Sequence, residues 1–205
     1  KITKSHLDIF KGSFNKNDGV FILTKDEIKK LWPNSEEKRI LKTFIKNSDI
    51  FRYHINIPEE KLIYLRWEDD INKFPNIKNH LLRFKEILKD QQRRYEENYH
   101  WYALHRPRDQ NIFESKEKIL VPYRNKKNIF GYGTLPIYSS RDVLFITEKD
   151  RMISLKYVIA LLNSKLYYLW LYHRGKRKGE TLELVAKPLS EIPIKKIFPS
   201  EQQPF

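Results

Sequence analysis

The sequence predicts an α+β fold: a mixed, mainly antiparallel sheet with one long amphipathic helix and one buried helix. Three observations predict it. Between Asn76 and Tyr95, Ile77, Leu81, Phe84, Leu88 and Tyr95 recur at helical spacing, with Leu82 and Ile87 widening the stripe and charge on the opposite face. Leu155 to Tyr172 is apolar nearly all round, as a centrally packed helix is. Between them, Ile119–Tyr123, Ile129–Tyr132, Leu135–Tyr138 and Val143–Thr147 have the composition of strands.

The remaining elements follow in chain order. Asp18-Gly19 marks a turn into the short strand-like run Val20-Phe21-Ile22-Leu23. Thr24 can cap a helix over Lys25–Leu31 that Pro33 stops. Ser35 can cap a second helix, Glu36–Lys46, with Ile40, Leu41, Phe44 and Ile45 as its apolar stripe. Residues 50–55 and 61–67 read as strands on either side of Pro58-Glu59-Glu60. Tyr99 to Arg108 reads as an aromatic linker, and a helix is expected to begin after Ser154.

Composition bounds the function. The 205 residues can bury a core, and 40% hydrophobic with 14% aromatic content argues against a disordered chain. Forty Lys and Arg against 26 Asp and Glu give a net charge of +14, which attracts polyanions: nucleic acid first, an anionic membrane surface second. Scattered lysines also serve solubility alone, so charge does not decide. Without cysteine there is neither a disulfide nor a Cys-based zinc site, which fits a reducing, cytoplasmic setting. The chain opens on Lys1 with Met152 as its one methionine, and is expected to be a fragment of a longer protein. Lys156, Asn163, Ser164 and Lys165 interrupt the most apolar stretch, so no membrane span is expected.

The order of motifs resembles one family. Tyr138-Ser139-Ser140-Arg141-Asp142-Val143-Leu144-Phe145-Ile146-Thr147 leads to Ala160-Leu161-Leu162-Asn163-Ser164-Lys165-Leu166. Arg174-Gly175-Lys176-Arg177-Lys178-Gly179 follows, then Pro188-Leu189-Ser190-Glu191-Ile192-Pro193-Ile194. Upstream lie Trp101-Tyr102-Ala103-Leu104, Ile112-Phe113-Glu114 and Lys118-Ile119-Leu120, and further back Ser48-Asp49-Ile50-Phe51-Arg52-Tyr53 and Pro75-Asn76-Ile77. Together these resemble the TaqI-like C-terminal specificity domain, the target-recognition domain of adenine DNA methyltransferases and fused type IIG restriction-modification enzymes.

The resemblance implies a domain over 1–205, with a subdivision into 1–98 and 99–205 left open. It implies sequence-specific recognition of double-stranded DNA, no catalysis in this chain, and a methyltransferase partner domain in the same parent. It implies no cofactor here, S-adenosylmethionine for the parent, and magnesium if a nuclease is fused.

Candidate DNA contacts come from polar loops. Arg124, Asn125, Lys126, Lys127 and Asn128 combine side chains suited to base edges with lysines suited to phosphates; a solvated hairpin turn is the plain alternative. Ser139, Ser140 and Arg141 offer close approach beside a cation, against a pairing of Arg141 with Asp142 or another acid. Arg174, Lys176, Arg177 and Lys178, with His173, follow a helix end, where cations suit phosphate but also simply suit the helix dipole. Weaker candidates are Arg106, Arg108, Lys16, Asn17, Arg52 and His54.

The chain lacks an Asn-Pro-Pro-Tyr string for a flipped adenine, a Gly-rich cofactor loop and a Walker loop; Gly131-Tyr132-Gly133 is too short for the second. The alternative functions are a general nucleic-acid-binding module, a metal nuclease built on Asp49, Glu59 and Lys61, and a structural domain that only contacts its parent.

Overall fold

Local capping and strand pairing set the element boundaries in the computed structural model, which describes residues 2–4, 19–95, 98–105, 107, 109–148 and 152–205. Lys16, Asn17, Arg106, Arg108 and Asp18 of the expected first turn lie outside the described residues. The first elements are β1 (Ile2–Lys4), β2 (Ile22–Leu23), α1 (Lys25–Leu31), α2 (Ser35–Ile40), β3 (Leu41–Ile45) and β4 (Lys61–Ile63). Next come α3 (Pro75–Leu82), α4 (Lys85–Tyr95), α5 (Gln110–Glu114), β5 (Lys118–Pro122), β6 (Arg124–Asn125), β7 (Gly131–Gly133) and β8 (Tyr138–Ser139). The chain ends with β9 (Val143–Thr147), α6 (Leu155–Leu162), α7 (Lys165–Arg174), β10 (Lys176–Lys178), β11 (Thr181–Glu183) and α8 (Ala186–Ser190). This is a mixed α+β fold in which every strand pair within a unit is antiparallel among the described residues.

Contacts divide the chain into two units. One comprises Lys1–Ser5, Lys46–Ile57 and Asp109–Phe205; the other His6–Ile45 and Pro58–Arg108.

In the second unit, strands run in the order β2-β4-β3. Thr24 caps α1 as expected, through a capping box with Glu27. The next helix departs from expectation. Asn34, not Ser35, is its N-cap, and it ends at Ile40. Leu41–Ile45 is a strand because Leu41, Lys42 and Thr43 pair with Ile63, Leu62 and Lys61, and burial of Phe44 and Ile45 outweighs a helical periodicity. The long amphipathic stretch is two helices interrupted at Arg83–Phe84, with Ile77, Leu81, Phe84 and Leu88 all buried. Tyr99, Tyr102, Ala103 and Leu104 are buried too, so the aromatic stretch is packed and does not behave as a loose linker.

In the first unit, a four-stranded sheet in the order β1-β9-β5-β7 packs its apolar face on α6 and α7. Ile119, Val121, Phe130 and Leu144 meet Leu155, Ile159, Leu162, Tyr167 and Leu171 in one core. The expected single buried helix breaks at Asn163. The Asn163 side chain accepts from Phe130 N and donates to Phe130 O, both at 3.0 Å, and Ser164 caps the second half. Residues 50–55 form only a tight hairpin with one Ile50–Ile55 bridge.

Lys118 is wholly buried, its Nζ donating to Ser115 O and Leu135 O at 2.7 Å each. Burial pushes its pKa from 10.5 down to about 8, against the attraction of Glu114. The folded value is depressed, so the cost of the buried charge is full below pH 8 and is relieved as pH rises towards 10.5. Chemical denaturation of the wild type is expected to show stability rising across that window by up to about 3 kcal/mol relative to Lys118→Met, which lacks the titration. Parallel pH profiles would contradict a buried titrating lysine.

Candidate nucleic-acid interface

Two of the basic loops meet in one small sheet. β6 carries Arg124 and Asn125, β10 carries Lys176, Arg177 and Lys178, and β11 joins them in the order β10-β11-β6. Gly179, at φ 59, opens the turn between Lys178 and Thr181, a left-handed position that suits glycine. The register puts Lys176, Glu183 and Arg124 in one cross-strand row, and Arg177, Leu182 and Asn125 in the next. Leu182 belongs to the buried core, so its row marks the inner side and the Lys176–Glu183–Arg124 row the other.

Glu183 organises that row. Its Oε1 accepts from Arg124 Nε at 2.9 Å and Nη2 at 2.5 Å, and Lys176 Nζ lies 2.8 Å from Oε2. Lys176, then Arg124, holds the Glu183 carboxyl below its ordinary range, although burial opposes them. The same contacts raise the Arg124 and Lys176 pKa values, so both stay charged. Glu183 is only 3% exposed, while the Arg124 and Lys176 side chains are 44% and 63% exposed. The carboxylate therefore orients two cations without hiding them.

Around this row, Lys126, Lys127, Arg174, Arg177 and Lys178 are exposed. Arg177 lies 4.0 Å over the Tyr172 ring and Arg124 5.1 Å over Tyr123, which limits the swing of both side chains. Lys126 has a partial partner in Glu180 at 3.5 Å, both well exposed. The Asn125 carboxamide accepts from Lys127 N at 3.1 Å and shapes the turn. Asn128 is buried, and its Nδ2 donates to Leu162 O at 2.6 Å and Ser164 O at 2.8 Å; it anchors the loop from inside.

The Tyr123 main chain ties the third loop to the other two. Its N donates to Asp142 O at 2.8 Å and to Asn47 Oδ1 at 3.0 Å, and its O accepts from Leu184 N at 2.9 Å. Ser139 and Ser140 are buried, with Ser140 Oγ donating to Asp142 Oδ2 at 3.2 Å. Arg141 is exposed on the turn. Arg52 and His54 are exposed at the tip of the 50–55 hairpin. Sequence reasoning missed Glu183, Tyr172 and Tyr123. The alternation Leu182-Glu183-Leu184 was the available signal, since an acid between two buried leucines marks a strand with one polar face.

Residues 42–194 match the TaqI-like C-terminal specificity domain. The chain belongs to that family. It is 33% identical over 147 residues to the type II methyltransferase M.HindII of Haemophilus influenzae, covering 63% of this chain and 27% of that protein. With M.HincII of Haemophilus influenzae it shares 32% over 136 residues, 62% of this chain and 26% of that protein. Its fold is that of parts of two solved enzymes, each at 14% identity. The type IIL restriction-modification enzyme MmeI, solved in complex with DNA, aligns with a TM-score of 0.57 over 98% of this chain and 27% of its own. The type IIG restriction endonuclease BpuSI aligns with a TM-score of 0.58 over 100% of this chain and 24% of its own. The chain thus spans about a quarter of the length of these relatives.

Among the described residues no group of three or more His, Asp or Glu is placed to hold a metal ion. Each member of the nuclease-like set is engaged locally: Asp49 accepts from Lys46 N at 2.7 Å, Glu59 pairs with Lys25, and Lys61 donates to Thr43 at 2.9 Å. Gly131 and Gly133 lie in a paired strand; a Cβ on Gly131 would come within 2.9 Å of His54 O, so these glycines serve close packing and do not fit a nucleotide loop. No helix among the described residues is long and apolar enough to cross a membrane.

Proposed function

We propose that this chain reads double-stranded DNA for an adenine-specific DNA methyltransferase, with or without a fused nuclease. The observation that carries the reading is the β10-β11-β6 sheet, which fixes two basic loops around Glu183 in a chain that belongs to a specificity-domain family. Lys126, Lys127, Arg174, Lys176 and Lys178 are phosphate contacts, with Asn125 shaping the turn between them. Arg124, oriented by Glu183, is the side chain best prepared to meet a base edge, because a held guanidinium loses little freedom on binding, while Arg177, in the Leu182 row and braced on Tyr172, lies on the opposite side of the small sheet and meets DNA only at its edge. Arg141 extends the same surface through the Tyr123 junction. Ser139, Ser140 and Asn128 act by positioning these loops.

In this scheme the methyltransferase domain of the parent binds S-adenosylmethionine and receives the flipped adenine, and magnesium serves only a fused nuclease. The chain itself supplies charge and orientation; the proposed setting is cytoplasmic.

Fluorescence anisotropy with random duplex and single-stranded DNA across a salt series tests the reading. Duplex preference is expected, with log K falling against log salt by about 0.9 per phosphate contact. Absence of duplex binding at low salt, or a preference for single strands, would overturn it.

A further inference from the structure

The hairpin at residues 50–55 presents an aromatic tip that packing does not explain. Phe51 and Tyr53 are 39% and 50% exposed, and Arg52 and His54 between and beside them are exposed as well. The Phe51 and His54 rings stack at 5.1 Å, 8° from parallel, and Phe51 N donates to His54 O at 3.0 Å. Tyr53 sits at φ 72, a left-handed conformation that an aromatic L-residue rarely adopts. The surroundings hold it there. Tyr53 N donates to Phe130 O at 2.9 Å, and the hairpin lies so close on β7 that Gly131 has no room for a Cβ. The same segment grips the other end of the basic loop, where Asn47 Oδ1 accepts from Tyr123 N. Residues 46–57 thus bracket the Arg124–Asn128 loop at both ends.

We propose that the Phe51–His54 tip is a base-stacking wedge of the DNA-binding surface. It takes a nucleobase that has left its stack in duplex DNA: the rings of Phe51 and Tyr53 lie against the base and Arg52 pairs with the adjoining phosphate. The inference rests on the duplex-binding reading above. Exposed aromatic rings on a held backbone cost free energy in water and suit a flat aromatic partner, and every base offers one. Arg52, which stands between Phe51 and Tyr53 in the chain and is exposed, and a strongly basic neighbouring loop select a polyanion over an apolar protein surface.

The test compares two labelled duplexes that differ by one extrahelical adenine, with a single strand as a third probe, for wild type and Phe51→Ala/Tyr53→Asn. Asn tolerates positive φ, so the backbone is kept while the ring is removed; Tyr53→Gly serves as a second variant that removes the strain as well, and unchanged thermal unfolding confirms folding. Wild type is expected to bind the bulged duplex about tenfold tighter than the paired one, the scale of one base–aromatic stack. The variants are expected to lose that preference and keep their affinity for the paired duplex to within about twofold. Equal binding of the two duplexes by wild type, a preference that survives in the variants, or a gain seen only with the single strand would overturn the wedge. If wild type binds no duplex at all, the DNA reading itself fails, and the wedge with it.

Discussion

Reversing three exposed cations of the small sheet, as Lys126→Glu, Lys127→Glu and Lys178→Glu together, is expected to weaken duplex binding by at least about a hundredfold near 0.1 M salt. The slope of log K against log salt is expected to become shallower by about three, one unit for each phosphate contact removed. The residues are exposed and outside the Glu183 row, so stability should move by less than about 0.5 kcal/mol. The two readouts separate causes. A loss of affinity with an unchanged slope would mean that a structure was damaged; an unchanged affinity would mean that DNA lies elsewhere.

The largest expected stability effect lies in the second unit, at Glu37. It is wholly buried, and its carboxylate caps two helices at once. It accepts from Asn34 N at 2.9 Å at the start of α2, and from Asn76 N at 2.6 Å, Ile77 N at 3.0 Å and Asn76 Nδ2 at 2.9 Å at the start of α3. Burial works to raise its pKa from 4.5, but the hydrogen bonds from Asn34, Asn76 and Ile77 outweigh it and hold the carboxyl lower. Glu37→Ala leaves these donors without their acceptor, which costs about 3–5 kcal/mol. Urea denaturation followed by circular dichroism measures it; a loss under about 1 kcal/mol would contradict the capping role. Because the folded pKa is depressed, this stabilisation is present above pH 4.5 and is lost as pH falls through the folded value.

What was legible in the sequence was what is local. Thr24 and Glu27 stand three apart, so the start of α1 is written in consecutive residues. The strand-like runs at 119–123 and 143–147 pair as β5 and β9, since alternation and β-rich composition survive any long-range arrangement. The errors lie where a distant partner decides. Ile40, Leu41, Phe44 and Ile45 suit one helix face, and it is pairing with β4, about twenty residues on, that makes Leu41–Ile45 a strand. Asn163 breaks an apolar helix because its amide closes on Phe130, 33 residues earlier in the chain.

The binding surface shows the same division. The loops at 124–128 and 174–178 were legible as basic segments because cations and turn residues cluster there. Their union was not legible, because β10 exists only through its pairing with Thr181–Glu183, and Glu183 sits in a stretch with no cluster of its own. Asn128 resembled its neighbours in sequence and differs from them in burial alone.

The most direct test of the central claim is lysine-labelling footprinting by mass spectrometry, with and without duplex DNA. The account predicts protection at Lys126, Lys127, Lys176 and Lys178 that disappears at high salt. Protection confined to lysines elsewhere in the chain, with these four still labelled in the complex, would contradict it.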